Sequence, residues 1–225
     1  RAEPRAPPAP MPDIPLQGPV HAERLRLGGA SVPLPPGRWV EIHGTSFVAQ
    51  GPPILGGGRS GGGAQMLTTQ EVTLVRQEAG RITGVVVAQV TTSDVTVPPR
   101  WPLSEICGGG EALARAVVHS DAVTQDCARL IAWSPQRSLA TSGSQNALAQ
   151  LGARRAGFLP PDMPAAQFRF AGSQRAVTAE YRFAPPLDEA ARSGWLQRFG
   201  PWLAASAPVL RRGFNGWQAG PLADP

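Results

Sequence analysis

The chain has no lysine: all 21 of its basic residues are arginine. That absence removes whole classes of chemistry, because a P-loop lysine, a Schiff-base lysine and a Ser-x-x-Lys nucleophile all need an amine. With 26 glycines, 25 prolines and abundant alanine, the bias reads as that of a GC-rich coding sequence. Histidine is scarce at three residues and cysteine at two. No run of about 18 apolar residues occurs, so nothing here reads as a membrane-spanning helix. Metal-ligand spacings such as C-x2-C or H-x3-H are missing, and no carboxylate pair stands out for acid–base work. A basic stripe with interleaved aromatics is missing too. Although the net charge is +5, acidic residues alternate with the arginines, and the only adjacent arginine pairs are Arg154-Arg155 and Arg211-Arg212. Nucleic acid is therefore not the expected partner.

What the chain does contain suits one domain with long ends. At 225 residues and 42% hydrophobic it can bury a core. Three parts are expected: a proline-rich flexible arm over residues 1–23, a single domain over 24–212 with a glycine-rich loop at 56–63, and an extended tail over 213–225. The arm carries seven prolines in its first nineteen positions and favours extended polyproline II. It reads equally as a spacer or as a disordered terminus. The start at Arg1, without methionine, carries the expectation that an N-terminal segment was removed or lies outside this sequence; a signal peptide and an anchor are both open as its identity.

The domain opens with strand patterning on both sides of a Pro35-Pro36-Gly37 turn. Parity groups Trp39 with Glu41 and His43, and Val40 with Ile42. The segment 66–97 reads as a long Val/Thr hairpin turning at Glu78-Ala79-Gly80-Arg81. "EALARAVVH" (111–119) reads as a short helix, and "ARLIAWS" after it as a strand. A helix follows from Ser142 or Ser144 to Gly157, then a hairpin about Gly172-Ser173-Gln174. A final helix spans roughly 187–212, bent or restarted at Pro201. This order gives the α+β class: an antiparallel sheet of several hairpins, covered on one face by two or three C-terminal helices, with one disulfide.

"CGGGEALARAVVHSDAVTQDC" (107–127) holds both cysteines together with His119, Asp121 and Asp126. Zinc would need ligand spacings that this segment lacks. Two cysteines in a chain read as exported suit a Cys107–Cys127 disulfide better. Gly108-Gly109-Gly110 before a helix resembles a phosphate cradle, but Glu111 in the first turn would repel the anion. The matches to G-x-G-x-x-G at Gly56, Gly58 and Gly61, and to G-x-S-x-G around Ser60, lack the strand-turn-helix context their chemistry requires. His119 with Asp121, or His43, belongs to a hydrolase only if a distant serine joins it. Trp195, Phe199, Trp202 and Leu203 fall on one helical face. That face either covers the sheet or, together with Trp217 in the tail, contacts a partner.

The "LPPGRW" turn and strand, the long Val/Thr hairpin, the W…C…D…C segment and the closing YRF…W…W helix together resemble a group of uncharacterised proteobacterial envelope proteins. The resemblance touches most of residues 33–212. It implies export and the disulfide, and it transfers no catalytic residue.

Sequence alone thus assigns no catalytic, cofactor or metal residue. It points to a non-catalytic accessory or binding subunit of a periplasmic envelope assembly, partnered by another envelope protein or a membrane complex. Periplasmic or extracellular placement, with peripheral membrane contact, goes with that reading. Two alternatives remain: a histidine-based hydrolase, and a module that binds anionic glycans or lipid headgroups through scattered arginines.

Overall fold

A computed structural model of the chain describes residues 12–53, 64–95, 98–153, 163–216 and 220–225. The glycine-loop motifs, Arg154, Arg155 and Gly157 at the end of the first expected helix, and Trp217 lie outside these residues. The α+β class stands: an antiparallel sheet, two C-terminal helices and one disulfide make up the fold.

The strands are β1 (Val20–His21), β2 (Arg24–Leu27), β3 (Ala30–Pro33), β4 (Trp39–Gln50), β5 (Met66–Glu78), β6 (Arg81–Ser93), β7 (Ala114–Ser120), β8 (Gln125–Ala132), β9 (Pro164–Ala171) and β10 (Arg175–Phe183). Eight of them form one sheet in the order β1-β4-β5-β6-β10-β9-β8-β7, and β2-β3 is a separate hairpin. The β5–β6 turn falls at the expected place: Ala79 and Gly80 both have positive φ, 49° and 74°, the backbone of a type I′ hairpin turn.

Helix α2 (Glu189–Phe214) covers one face of the sheet together with β2 and β3. Asp188 caps its first turn by accepting from the Ala191 N–H at 3.0 Å, and Arg211 and Arg212 close its last. It runs as one element through Pro201 and Pro208. A break at Pro201 is not needed, because both prolines and the residues four before them, Gln197 and Ala204, lie on the exposed side, where water can take the freed carbonyls. Trp195, Phe199 and Trp202 all lie inside, forming an edge-to-face aromatic chain with Phe183, Tyr181 and Phe168. They form the face of α2 that covers the sheet. Gly213 permits the close approach of α2 to β3: a Cβ there would sit 2.4 Å from the Ser31 carbonyl oxygen.

Helix α1 (Ser142–Ala153) lies on the opposite face, where Leu148 and Leu151 meet Val75, Val85 and Val87. The helices thus cover both faces of the sheet and not one as expected, because both faces of its central strands are apolar. Alternation explains the division, since Val86 and Ala88 point toward α2 while Val85 and Val87 point toward α1.

Two local expectations change. Residues 111–119 are not a helix; Ala114–Ser120 forms β7, paired with β8 as an edge hairpin. The β-branched Val117 and Val118 favour the strand. Asp121 closes its turn by accepting from the Val123 and Thr124 N–H groups at 2.7 Å, and those bonds lower the Asp121 pKa. The parity of β4 also shifts at a bulge between Glu41 and His43. Trp39 therefore faces α2, while His43 lies against Gly143 of α1. Gly84 makes room for Trp39, whose ring would lie 2.6 Å from a Cβ at that position. The Trp39 indole N–H donates to the Pro35 carbonyl at 2.8 Å and so fixes the preceding turn.

Both ends fold back onto the domain where they are described. Ile14 and Leu16 pack beside the α1-face cluster, and β1 pairs with Trp39 and Val40. At the other end, Leu222 is buried and donates its N–H to Leu34, and Asp224 pairs with Arg76 at 2.8 Å.

On the α1 face, beyond its apolar part, the sheet carries a buried polar layer. Glu71 and Glu180 are both fully buried. Glu71 accepts from the Thr141 hydroxyl at 2.6 Å, the Gln89 amide at 2.6 Å and the Ser144 hydroxyl. Glu180 is paired with Arg182 and accepts from Gln167 at 2.6 Å and from the Leu139 N–H at 3.0 Å. Both carboxylates thereby anchor the crossing segment 138–144. Removing one partner of a buried pair leaves the other charge uncompensated. Arg182→Met should thus lower unfolding free energy by about 3–5 kcal/mol in a urea melt, and a change below about 1 kcal/mol would contradict this role.

The disulfide joins Cys107 to Cys127 with Cα atoms 5.2 Å apart. It holds the loop before β7 against β8. The double variant Cys107→Ser, Cys127→Ser should lose about 3 kcal/mol and about 6–12 °C in Tm by calorimetry.

Candidate functional site: a corner groove beside an open strand

At one corner of the domain the β7–β8 hairpin, the β9–β10 turn and the end of α2 enclose an open groove of about 290 Å³. Phe170, Val177 and Phe214 form its apolar floor, and His119, Arg175, Arg211 and Asn215 stand around the rim. The floor is fixed from two sides. Phe170 and Phe214 meet edge to face at 5.0 Å, and Arg211 lies over the Phe170 ring at 5.6 Å. Asp126, opposite Phe170 in register, accepts from Arg211 at 2.8 Å and is bridged by its second nitrogen as well. Among the described residues Arg175 is held by long contacts, 3.4 Å to the Gly28 carbonyl and 3.5 Å to the Gln174 side chain. Its guanidinium is therefore available to an incoming acidic or carbonyl group.

Alongside the groove runs the outer edge of β7. Among the described residues no strand pairs with that edge. Val117 and Val118 are exposed on it, with Leu113 before and Val123 after. Behind it, Arg115 donates to the carbonyls of Ile106, Gly109 and Gly110 at 3.0–3.1 Å, and the disulfide secures the same loop. The hairpin is thus braced from behind and bare in front.

The residues singled out from sequence are dispersed among different roles. The sulfurs of Cys107 and Cys127 are bonded to each other, and among the described residues no group of three or more His, Cys, Asp or Glu is placed to hold a metal. The three histidines lie apart. His21 is 3.5 Å from Glu41, His43 sits at α1, and His119 lies on the groove. His119 pairs with Asp126 across the hairpin, but that carboxylate is engaged by Arg211, and Asp121 is engaged by its own turn. On the other face His43 lies against Gly143, the residue before Ser144, and Ser144 is bonded to Glu71; these are the residue types of a hydrolase triad. Ser144 is fully buried, gives its hydroxyl hydrogen to Glu71 and accepts from Thr73 at 2.8 Å. It serves as a strut and not as a nucleophile.

Sequence reasoning missed Arg175, Phe170 and Asn215 as groove residues. They come from the second hairpin and the end of α2, far from His119 in sequence, and only the β8–β9 and β9–β10 pairings unite them. The alternation of Phe168 with Phe170 was the available signal.

If Arg211 holds the groove floor, Arg211→Ala should cost about 1 kcal/mol by chemical denaturation, the scale of a partly exposed ion pair with a cation–π contact. Trp fluorescence from the core should remain unchanged. No protein-family model, curated protein or solved structure matches the chain.

Proposed function

We propose that this protein is a non-catalytic binding subunit of a bacterial cell-envelope assembly, acting in the periplasm through its β7 corner. An extended segment of a partner lies along β7, and its apolar and acidic side chains enter the groove toward Phe170 and Arg175. The observation that carries the reading is the exposed run of Leu113, Val117, Val118 and Val123 beside a groove with an aromatic floor and a loosely held arginine. Strand addition supplies backbone hydrogen bonds, and pockets for alternate side chains supply selectivity.

Support for the compartment comes from the disulfide, which forms and persists in oxidising surroundings. Among the described residues no helix is long and apolar enough to cross a membrane, so any membrane association of the described part through helices would be peripheral or through the partner. The bracing of β7 by Arg115 and the disulfide supports a preorganised surface, which lessens the entropy lost on binding.

A photo-crosslinking residue at Val118, placed in the full chain within intact cells, should yield one dominant adduct with an envelope protein. Arg175→Glu should reduce that adduct at least tenfold. The same probe at Leu187, which is exposed on the far side of the domain, should yield no such adduct. Equal labelling from both positions, or labelling indifferent to Arg175→Glu, would rule the reading out.

A further inference from the structure

The other end of the sheet carries a second open edge, of different character. β1 covers β4 only at Trp39 and Val40, and the Glu41 N–H donates outward to Pro19 at 2.9 Å. From Ile42 to Gln50 no strand lies outside β4 among the described residues. Every side chain from Gly44 to Gln50 is exposed, including Phe47 at 41% and Val48 at 59%. Open edges are ordinarily blunted by charge, proline or a bulge within the strand. Residues 43–50 contain no Asp, Glu, Arg or Pro, and the β4 bulge precedes them. β7 differs: it is seven residues long, with a bulge in its second half, and carries Arg115 and His119.

Strand alternation fixes which groups are on offer. In an L-peptide strand, residues with side chains on one face send their N–H and C=O to the same side. Gly44 and Glu41 share the α2 face, since a Cβ on Gly44 would meet the Glu41 carboxylate, and the Glu41 N–H points outward. The outward backbone groups are therefore those of Gly44, Ser46, Val48 and Gln50, while Thr45, Phe47 and Ala49 bond inward to β5.

We propose that β4 pairs antiparallel with β4 of a second copy of this chain, across a two-fold axis at Phe47. In that register Gly44 faces Gln50 of the partner copy and Ser46 faces Val48, so each outward N–H and C=O is matched. Phe47 faces its own symmetry mate in a non-hydrogen-bonded pair, where side chains approach most closely. Local charge does not oppose a copy here: the chain carries +5 overall, but this stretch bears no formal charge except on protonated His43. Symmetry favours the copy, because a self-pairing edge is used up at two copies, whereas β4 against β7 would leave free ends and grow into a filament. The proposal does not rest on the β7 binding surface and leaves that surface open.

The test uses the full chain with its disulfide intact. Sedimentation equilibrium at micromolar concentration should give twice the chain mass of 23.6 kDa. Val48→Pro removes an outward N–H and leaves the β4–β5 ladder whole, so it should return the monomer mass with an unchanged thermal transition. Phe47→Cys should form a covalent dimer under mild oxidation, because facing residues in such a pair lie about 4.5 Å apart at Cα. Ala49→Cys, facing Thr45, should not. A monomeric wild-type chain, a dimer that persists in Val48→Pro, filaments, or equal crosslinking at positions 47 and 49 would each overturn the proposal. If Val48→Pro fails to fold, the contrast between positions 47 and 49 still decides.

Discussion

The domain depends on two carboxylates that have no access to water. Glu71 and Glu180 stand on the α1 face, one in the middle of β5 and the other in the middle of β10. Charges this deep persist only when every lone pair finds a donor. Neighbouring sheet residues Gln89, Gln167 and Arg182 supply part of the donors and the crossing segment 138–144 supplies the rest, so the chain completes the set only by laying that segment across the sheet. It thereby places α1, and with α1 the second apolar cluster. On the opposite face no such device is needed, because aromatic packing under α2 fills the space directly.

How much of this the sequence disclosed follows from the range of the interactions. The β5–β6 hairpin was legible because turn and alternation are local, and the same holds for β9–β10 and for the span of α2. The disulfide was legible from compartment and arithmetic. Misreading 111–119 as a helix came from "EALARA", whose alanines suit a helix, while the pairing that decides the matter lies across the turn at Asp121. The bulge in β4 was invisible for a similar reason, since parity assumes an unbroken ladder. The polar layer was the least legible part. Glu71, Gln167 and Glu180 look like solvent-facing positions of amphipathic strands, and only the covering segment turns that face into an interior.

The candidate site shows the same limit. His119 and Asp126 were visible within the cysteine segment, but the groove they border is completed by Phe170, Arg175 and Phe214. Those residues arrive through strand order and through the length of α2, which no short motif encodes. Conversely, Trp195, Phe199 and Trp202 attract notice in sequence and turn out to be interior. Helical spacing alone does not say which side of an amphipathic face meets water.

The arginine-only composition has a structural outcome of its own. Guanidinium groups tie loops down through main-chain oxygens: Arg76 to Pro36, Arg81 to Pro185, Arg115 to Ile106, Gly109 and Gly110, and Arg129 to Glu105. A planar fork reaches several carbonyls at once, which an ammonium cannot do with equal geometry. Guanidinium and amide carbonyl are, as chemical types, not groups that mild acid protonates or deprotonates. Even Arg169, which burial brings down to about 10, keeps its charge throughout that range. In a compartment whose acidity follows the outside medium, these loop fastenings would hold through swings that loosen carboxylate-based ones.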